Sequence, residues 1–418
     1  MMKSMRKILK NSYAFSLITK VTLVFFGVLN TVFINRYLGP ELKGQYEYIL
    51  NIINIAVLIL NLGVYQSYPY KKRTDDQGDI REKYFAIIIV QFLAYVVISI
   101  IVSASVKMLE VTFMTMLISI MILTKQLMFI SMIENINLRN LLNIGNQILY
   151  TIMLLIVFIV APQNIYYLFV VLLLKDILII TRIIRSFSFK LSKRSFDFKL
   201  LVDATRFGFY PMITALLITM NYRFDIIILR SYVEFSQIGL YTVGVGLADK
   251  LWIIPDAFKD VLFAKTAIKN SIDDINMSIK INIIISVFMI TFIAIFGKPI
   301  IKFLYGEDFI AAYSVTIIIL IGIIPMLFFK LINTLFISVG KQKISFIVLL
   351  ISVILNIIGN IVMIPIYGIV GAAYASIISY FICGISFLLY YSRIFNVKLW
   401  DILIFSKCDI NRIKVFKR

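Results

Sequence analysis

The chain has 418 residues, 61% of them hydrophobic, a mean hydropathy of +0.95, a formal net charge of +20 and no histidine. Such values lie outside ordinary soluble domains, and without histidine there is no Ser-His-Asp triad, His general base or His metal ligand. A charge of +20 suits nucleic acid when gathered on one surface, but here it is distributed loop by loop, which argues against a nucleic-acid partner.

In chain order, twelve apolar runs have the length needed to span a bilayer. They lie at 12–34, 47–69, 84–106, 111–133, 144–161, 164–185, 206–229, 237–258, 279–300, 312–337, 344–364 and 369–392. The first follows a short basic segment ending at Lys10 and lacks a small-residue cleavage site, so it is expected to be an uncleaved helix rather than a signal peptide. The N-terminus, the even-numbered loops and the tail hold 30 of the 42 Lys and Arg, among them Lys71-Lys72-Arg73 and the stretch from Arg182 to Arg206. The odd-numbered loops hold six: Arg36, Lys43, Lys107, Arg230, Lys298 and Lys302. The remaining six lie within spans. Basic loops stay inside, so both termini are expected in the cytoplasm and the protein in an inner membrane, crossing it many times.

Cys383 lies in the last span and Cys408 in the tail, which argues against a disulfide or a metal site. There is no Gly-rich phosphate loop, no cofactor is implied, and no loop is long enough for a soluble catalytic domain. The outer loop from Gly297 to Ala311 is about a dozen residues, and the inner loops 70–83, 186–205 and 259–278 are some fifteen to twenty. The expectation is a transporter, not an enzyme.

The spans divide into an N-terminal six-helix lobe at 1–185, a basic cytoplasmic linker at 186–205, a C-terminal six-helix lobe at 206–394 and a basic tail at 395–418. FINRYLGPELKGQYEYIL, between spans 1 and 2, is echoed by IILRSYVEFSQIGLYTVGV between spans 7 and 8, so Arg36, Gly44 and Tyr46 correspond to Arg230, Gly239 and Tyr241. Six helices between equivalent positions give both lobes the same orientation, as in parallel-repeat transporters whose substrate binds between repeats. The echoed motif reads as structural: Gly39-Pro40 makes a tight turn, Gly44 permits close approach, and Tyr46 is an interfacial anchor. Near the C-terminus, Pro365 ends span 11 and Gly368 supplies a turn. Gly371, Ala372 and Ala375 let span 12 pack closely, while Asn356 and Asn360 share a helix face.

Ionisable residues inside spans are costly and usually face a bundle interior or a watery cavity. The candidates among them are Lys20, Lys125, Lys175, Asp176, Arg223, Asp225, Asp249, Lys250 and Lys330, six cations against three anions. Lys20, Lys125, Arg223, Asp249, Lys250 and Lys330 are the substrate-binding candidates. Asp176, Asp225 and Asp249 are the candidates for coupling to a proton or sodium ion, with neutralised structural carboxylates as the other reading. For Lys20 and Arg223 a snorkelling role stays open. Lys175-Asp176 reads as a structural pairing, and Arg223 and Asp225 lie on different faces and are not expected to pair with each other. Pro211 and Pro255 are expected to kink spans 7 and 8.

NRYLGPELKGQY, RFDIIILRSYVEFSQIGLY, GKPIIKFLYGEDF and LNIIGNIVMIPIYGIVGAAYASIISY occur in that order over about residues 15 to 390. Together they resemble the Wzx-type flippases of O-antigen and capsule repeat units, within the multidrug/oligosaccharidyl-lipid/polysaccharide exporter superfamily. The resemblance implies an all-α membrane fold of twelve helices in two pseudo-symmetric six-helix lobes around a central cavity, MOP/MATE-like. It also implies alternating access, with spans 1 and 7 as gating helices. The implied cargo is an undecaprenyl-pyrophosphate-linked oligosaccharide, moved from the cytoplasmic to the periplasmic leaflet of the bacterial inner membrane. The polysaccharide polymerase machinery would be a further partner besides membrane lipids. A pyrophosphate needs a cationic lining, and Asn30, Asn54, Asn61, Gln91, Asn221 and Asn333 offer hydrogen bonds to sugars. Relatives that flip the peptidoglycan precursor line their cavity with arginines on the first two and eighth spans, and Lys20 and Lys250 fall on corresponding spans. The alternatives are a multidrug cation antiporter of the same superfamily, disfavoured by the basic interior, and a membrane polysaccharide polymerase or ligase, disfavoured by the short loops and missing histidine.

Overall fold

A computed structural model describes residues 12–74, 80–189, 196–266 and 272–405. The basic N-terminal segment, the tail from 406 with Cys408, and parts of the three larger inner loops lie outside the described residues. Every regular element is helical: α1 Ser12–Leu60, α2 Tyr68–Thr74, α3 Ile80–Val106, α4 Leu109–Glu134, α5 Ile136–Val160, α6 Ile165–Phe187 and α7 Phe198–Leu229. These are followed by α8 Phe235–Asp249, α9 Ile253–Thr266, α10 Ile272–Tyr305, α11 Ala312–Ile321, α12 Ile323–Ser338, α13 Gln342–Phe395 and α14 Leu399–Leu403.

Among the described residues, eight helices are long and apolar enough to cross a membrane, and α11 with α12 form a further span bent by 49°. Two of the eight are double. Helix α1 breaks at Gly39 (φ 67°, ψ 175°) and α13 at Gly368 (φ 57°, ψ −134°), conformations that only glycine adopts readily. Helix α6 supplies the twelfth stretch, interrupted in its apolar run by Lys175, Asp176, Arg182 and Arg185. The expected turns at Gly39-Pro40 and Gly368 are therefore present. The connections around them are shorter than expected, because helix runs up to each glycine and resumes directly after it. Span 2 ends at Leu60 rather than 69, since Leu62 and Gly63 turn the chain with positive φ. Likewise α10 continues to Tyr305, shortening the outer loop to a turn at Gly306 and a 3₁₀ segment, Glu307–Phe309.

The chain divides into two compact units, Met1–Leu216 and Leu217–Arg418. Unit 1 packs α1 against α5 and α4, α3 against α4, and α6 against both α4 and α5. One of its cores joins Tyr46, Ile53, Leu117, Leu154 and Phe169; another joins Val64, Tyr84, Leu127, Ile183 and Ala204. Side chains start several helices: Asn135 accepts from Leu138 N–H at 3.0 Å, Asn164 from Tyr166 N–H at 2.9 Å, and Asp197 from Leu200 N–H at 3.0 Å. In unit 2, α8 lies on α11, α9 on α12, and α13 on both α11 and α12. The α13 hairpin closes through small residues, as an ideal Cβ on Gly371 would stand 2.2 Å from the Met363 carbonyl oxygen. Ile100, Ile159, Val160, Phe288 and Phe303 are more than 60% exposed, a surface suited to hydrocarbon.

Candidate functional site

Two proline-directed breaks organise unit 2. Pro255 has no N–H for the carbonyl of Leu251, and the span loses α-geometry there as the 3₁₀ turn Lys250–Trp252. Pro325 does the same to Ile321, and the break falls at Gly322 between α11 and α12. The expected kink of span 8 is thus a local tightening to 3₁₀ geometry within a helix that continues from Phe235 to Lys259, whereas α11 and α12 are bent by 49°. Since α8 packs on α11 and α9 on α12, the two distortions lie beside each other. Span 12 seals this region: a Cβ on Gly384 would meet the Pro325 carbonyl oxygen at 1.8 Å, and one on Gly322 the Tyr380 ring at 2.8 Å. Interrupted membrane helices expose backbone dipoles and commonly mark substrate or ion sites.

Several charges of unit 2 meet beside these prolines. Arg223 of α7 donates from Nη2 to Asp249 Oδ2 at 2.6 Å. Lys330 of α12 donates to Asp256 Oδ1 at 2.9 Å, and Lys259 approaches the same oxygen at 3.2 Å. The Lys330 ammonium also stands 4.3 Å from the Trp252 ring centroid, a cation–π contact, and lies within Coulomb reach of Asp249. Lys250 begins the 3₁₀ turn next to Asp249. Tyr222 makes edge contacts with Trp252 and Tyr380, giving the cluster an aromatic wall. Among the described side chains, Arg223, Lys259 and Lys330 thus meet Asp249 and Asp256, three cations against two carboxylates.

Asp225 faces elsewhere. Only 2% exposed, it accepts from the Tyr241 hydroxyl, from Ile226 N–H at 2.8 Å and from the Ser376 hydroxyl at 3.4 Å. Asn356 donates to Ser376 at 3.5 Å, and Asn360 donates to the Asn356 side chain at 3.0 Å. The Asn360 side-chain oxygen is itself buried without a partner. Nearby on the same helices, Ser352 and Ser379 both donate to Asn221. Spans 7, 8, 11 and 12 thus surround one carboxylate with hydroxyl and amide groups, with the Arg223 guanidinium within Coulomb reach, a donor set suited to a proton or a hard monovalent cation.

Arg223, Asp249 and Lys330 are thereby brought together, and Arg223, bonded to Asp249, also lies within Coulomb reach of Asp225. Lys20 and Lys125 belong to unit 1, where both are exposed. Asp176 is buried there, pairs with its neighbour Lys175 at 3.3 Å and lies within Coulomb reach of Lys125 on α4. Tyr46 is 2% exposed and stacks on Phe169 at 5.4 Å, so it is a core residue and not an interfacial anchor. Several amides serve the scaffold. Asn30 accepts from Thr151, Asn333 accepts from Ser345, and Gln91 with Gln126 ties off the carbonyls of Leu60 and Asn61 where span 2 ends. Asp256 was not among the sequence candidates. Its signal was present, an acid directly after Pro255 inside an apolar span.

The family model "Lipid II flippase MurJ" matches residues 262–411, a little over a third of the chain. No curated protein matches it in sequence. Among solved structures, a lipid II flippase MurJ in an inward closed conformation superposes with a TM-score of 0.72 at 18% identity, over 91% of this chain and 87% of that one. An outward-facing multidrug resistance MATE transporter of the MOP superfamily gives 0.63 at 15% identity, over 92% and 96%. A Vibrio cholerae MATE transporter gives 0.57 at 13% identity, over 95% and 99%. The chain therefore has the all-α MOP/MATE-like transporter fold.

Proposed function

We propose that the protein is a flippase moving an undecaprenyl-pyrophosphate-linked oligosaccharide from the cytoplasmic to the periplasmic leaflet of a bacterial inner membrane by alternating access, for O-antigen or capsule synthesis. The observation that carries this reading is the cation-rich cluster beside the Pro255 and Pro325 distortions, where Arg223, Lys259 and Lys330 meet Asp249 and Asp256. A doubly charged pyrophosphate is stabilised by such a site, whereas a cationic drug is repelled. The MurJ family match over 262–411 supports a lipid-linked cargo. The six-helix lobes at 1–185 and 206–394 and cytoplasmic termini complete the proposed architecture. Asp225 is the proposed coupling site, binding a proton or sodium ion among Tyr241, Ser376, Asn356 and Asn360.

Complementation of a bacterium lacking its own repeat-unit flippase tests this, with surface polysaccharide as readout and membrane expression checked. Surface glycan should return with the wild-type chain and be lost with Lys330→Gln or Arg223→Gln. No restoration with any repeat unit, together with new resistance to cationic dyes, would sink the flippase reading in favour of a drug antiporter.

A further inference from the structure

We propose that unit 1 carries its own diphosphate-binding track, built by Arg182 and Lys175 of α6 and Lys125 of α4, with Asp176 as its resident counter-ion. This rests on the reading that the cargo is a lipid diphosphate, and it assigns that group a contact separate from the Arg223–Lys330 cluster.

Lys175 and Arg182 are seven residues apart and so share a face of α6, about 10 Å apart along its axis. Helix α5 forms the wall beside both. The Lys175 ammonium stands 5.2 Å from the Tyr150 ring centroid. Two turns towards the other end, the Arg182 guanidinium fills the flank that Gly145 leaves open, with Nη1 at 3.7 Å from where a Cβ would stand. Asp176, its side chain 5% exposed, lies 3.3 Å from Lys175 and within Coulomb reach of Lys125. Among the described residues Arg182 makes no ion pair, so three cations share one carboxylate.

Lys125 makes the case for a ligand. It is an exposed residue nine positions from the end of α4, about 13 Å along the axis, farther than a lysine stem reaches. An ammonium at that depth is not stable against hydrocarbon, so this face opens onto water or a polar group. Asp176 holds the lysines while the track is empty and yields them to a stronger polyanion. A diphosphate then gains charge-assisted contacts in steps, from Arg182 to Lys175 and Lys125.

The full-length protein in nanodiscs is titrated with inorganic pyrophosphate and, separately, with farnesyl diphosphate, and binding is followed by thermophoresis. Lys175→Gln and Arg182→Gln should each weaken both probes about tenfold, the loss of one charge-assisted contact. Arg182→Lys should retain most of the affinity, and Asp176→Asn should raise it a few-fold. Monodisperse elution and an unchanged melting temperature exclude misfolding as the cause. Wild-type affinity in Lys175→Gln and Arg182→Gln, with weakening only in Lys330→Gln, would overturn the track and leave the flippase reading standing. Binding of neither probe by the wild type would overturn both. Binding of pyrophosphate without farnesyl diphosphate would assign the site to free diphosphate and overturn the lipid assignment.

Discussion

Asp225 and Asp249 are both carboxylates within apolar spans, yet what faces them differs, and so do the expected consequences of removing their charge. Asp225 is buried among neutral donors, so Asp225→Asn keeps most of its volume and can still accept from Tyr241. We expect this variant to fold, but to lose dependence on an imposed proton or sodium gradient and at least about tenfold in transport rate, as expected of a coupling carboxylate. Transport of a fluorescent lipid-linked sugar in liposomes would show it; unchanged gradient dependence would remove Asp225 as the coupling site. Asp249 faces Arg223 across a pair whose side chains are 27% and 36% exposed, so solvent screens it. A double-mutant cycle of Arg223→Gln and Asp249→Asn, read from thermal melting, should give a coupling of about 1 kcal/mol or less. That these carboxylates need partners was legible from the cost of charge in a span. Their partners were not, because periodicity gives the face of a helix and not the helix opposite. The hydrogen bond of Tyr241 to Asp225 illustrates this: the sequence echo with Tyr46 marks both tyrosines, but only packing shows that both are buried, one on Phe169 and one on a carboxylate.

The helices are most readable where glycine or proline dictates the backbone. Gly39 and Gly368 break α1 and α13 as their neighbours suggest, because positive φ is inexpensive for glycine alone. The distortion of span 8 was half legible. Pro255 announces a disturbance, and the backbone answers with one 3₁₀ turn, Lys250–Trp252, rather than a bend. The close approach of Gly384 to Pro325 gives a test at this scale. A methyl at Gly384 would stand 1.8 Å from a carbonyl oxygen, so Gly384→Ala must displace α13 or α12. We expect a loss of about 1–3 kcal/mol, as for overpacked cores. Gly246, also helical, has nothing within 4 Å of an added Cβ, and Gly246→Ala should gain about 0.5–1 kcal/mol from helix propensity alone. Melting of both variants in detergent checks the pair; equal effects would show that contact at Pro325 does not control stability.

For the whole molecule, class and span number follow from composition and periodicity, since only a bilayer tolerates so much exposed apolar surface alongside so few soluble loops. Orientation follows from a weaker cue, the sorting of 30 of 42 basic residues into alternate loops, and the direction of transport depends on it. Lys107 lies in the short connection between α3 and α4, which the sorting places outside, and Arg73 lies in α2, which it places inside. Both belong to exposed segments, so each accepts a cysteine without touching a core. In a background with Cys383→Ser and Cys408→Ser, Lys107→Cys should react with a membrane-impermeant maleimide on intact spheroplasts. Arg73→Cys should react only after permeabilisation. Because the connections carrying the two probes are separated by a single span, one crossing decides the sign for the whole bundle. The opposite labelling pattern would invert the protein in the membrane and put the basic inner loops outside. The proposed cargo, loaded from the cytoplasmic leaflet, would then approach the wrong face.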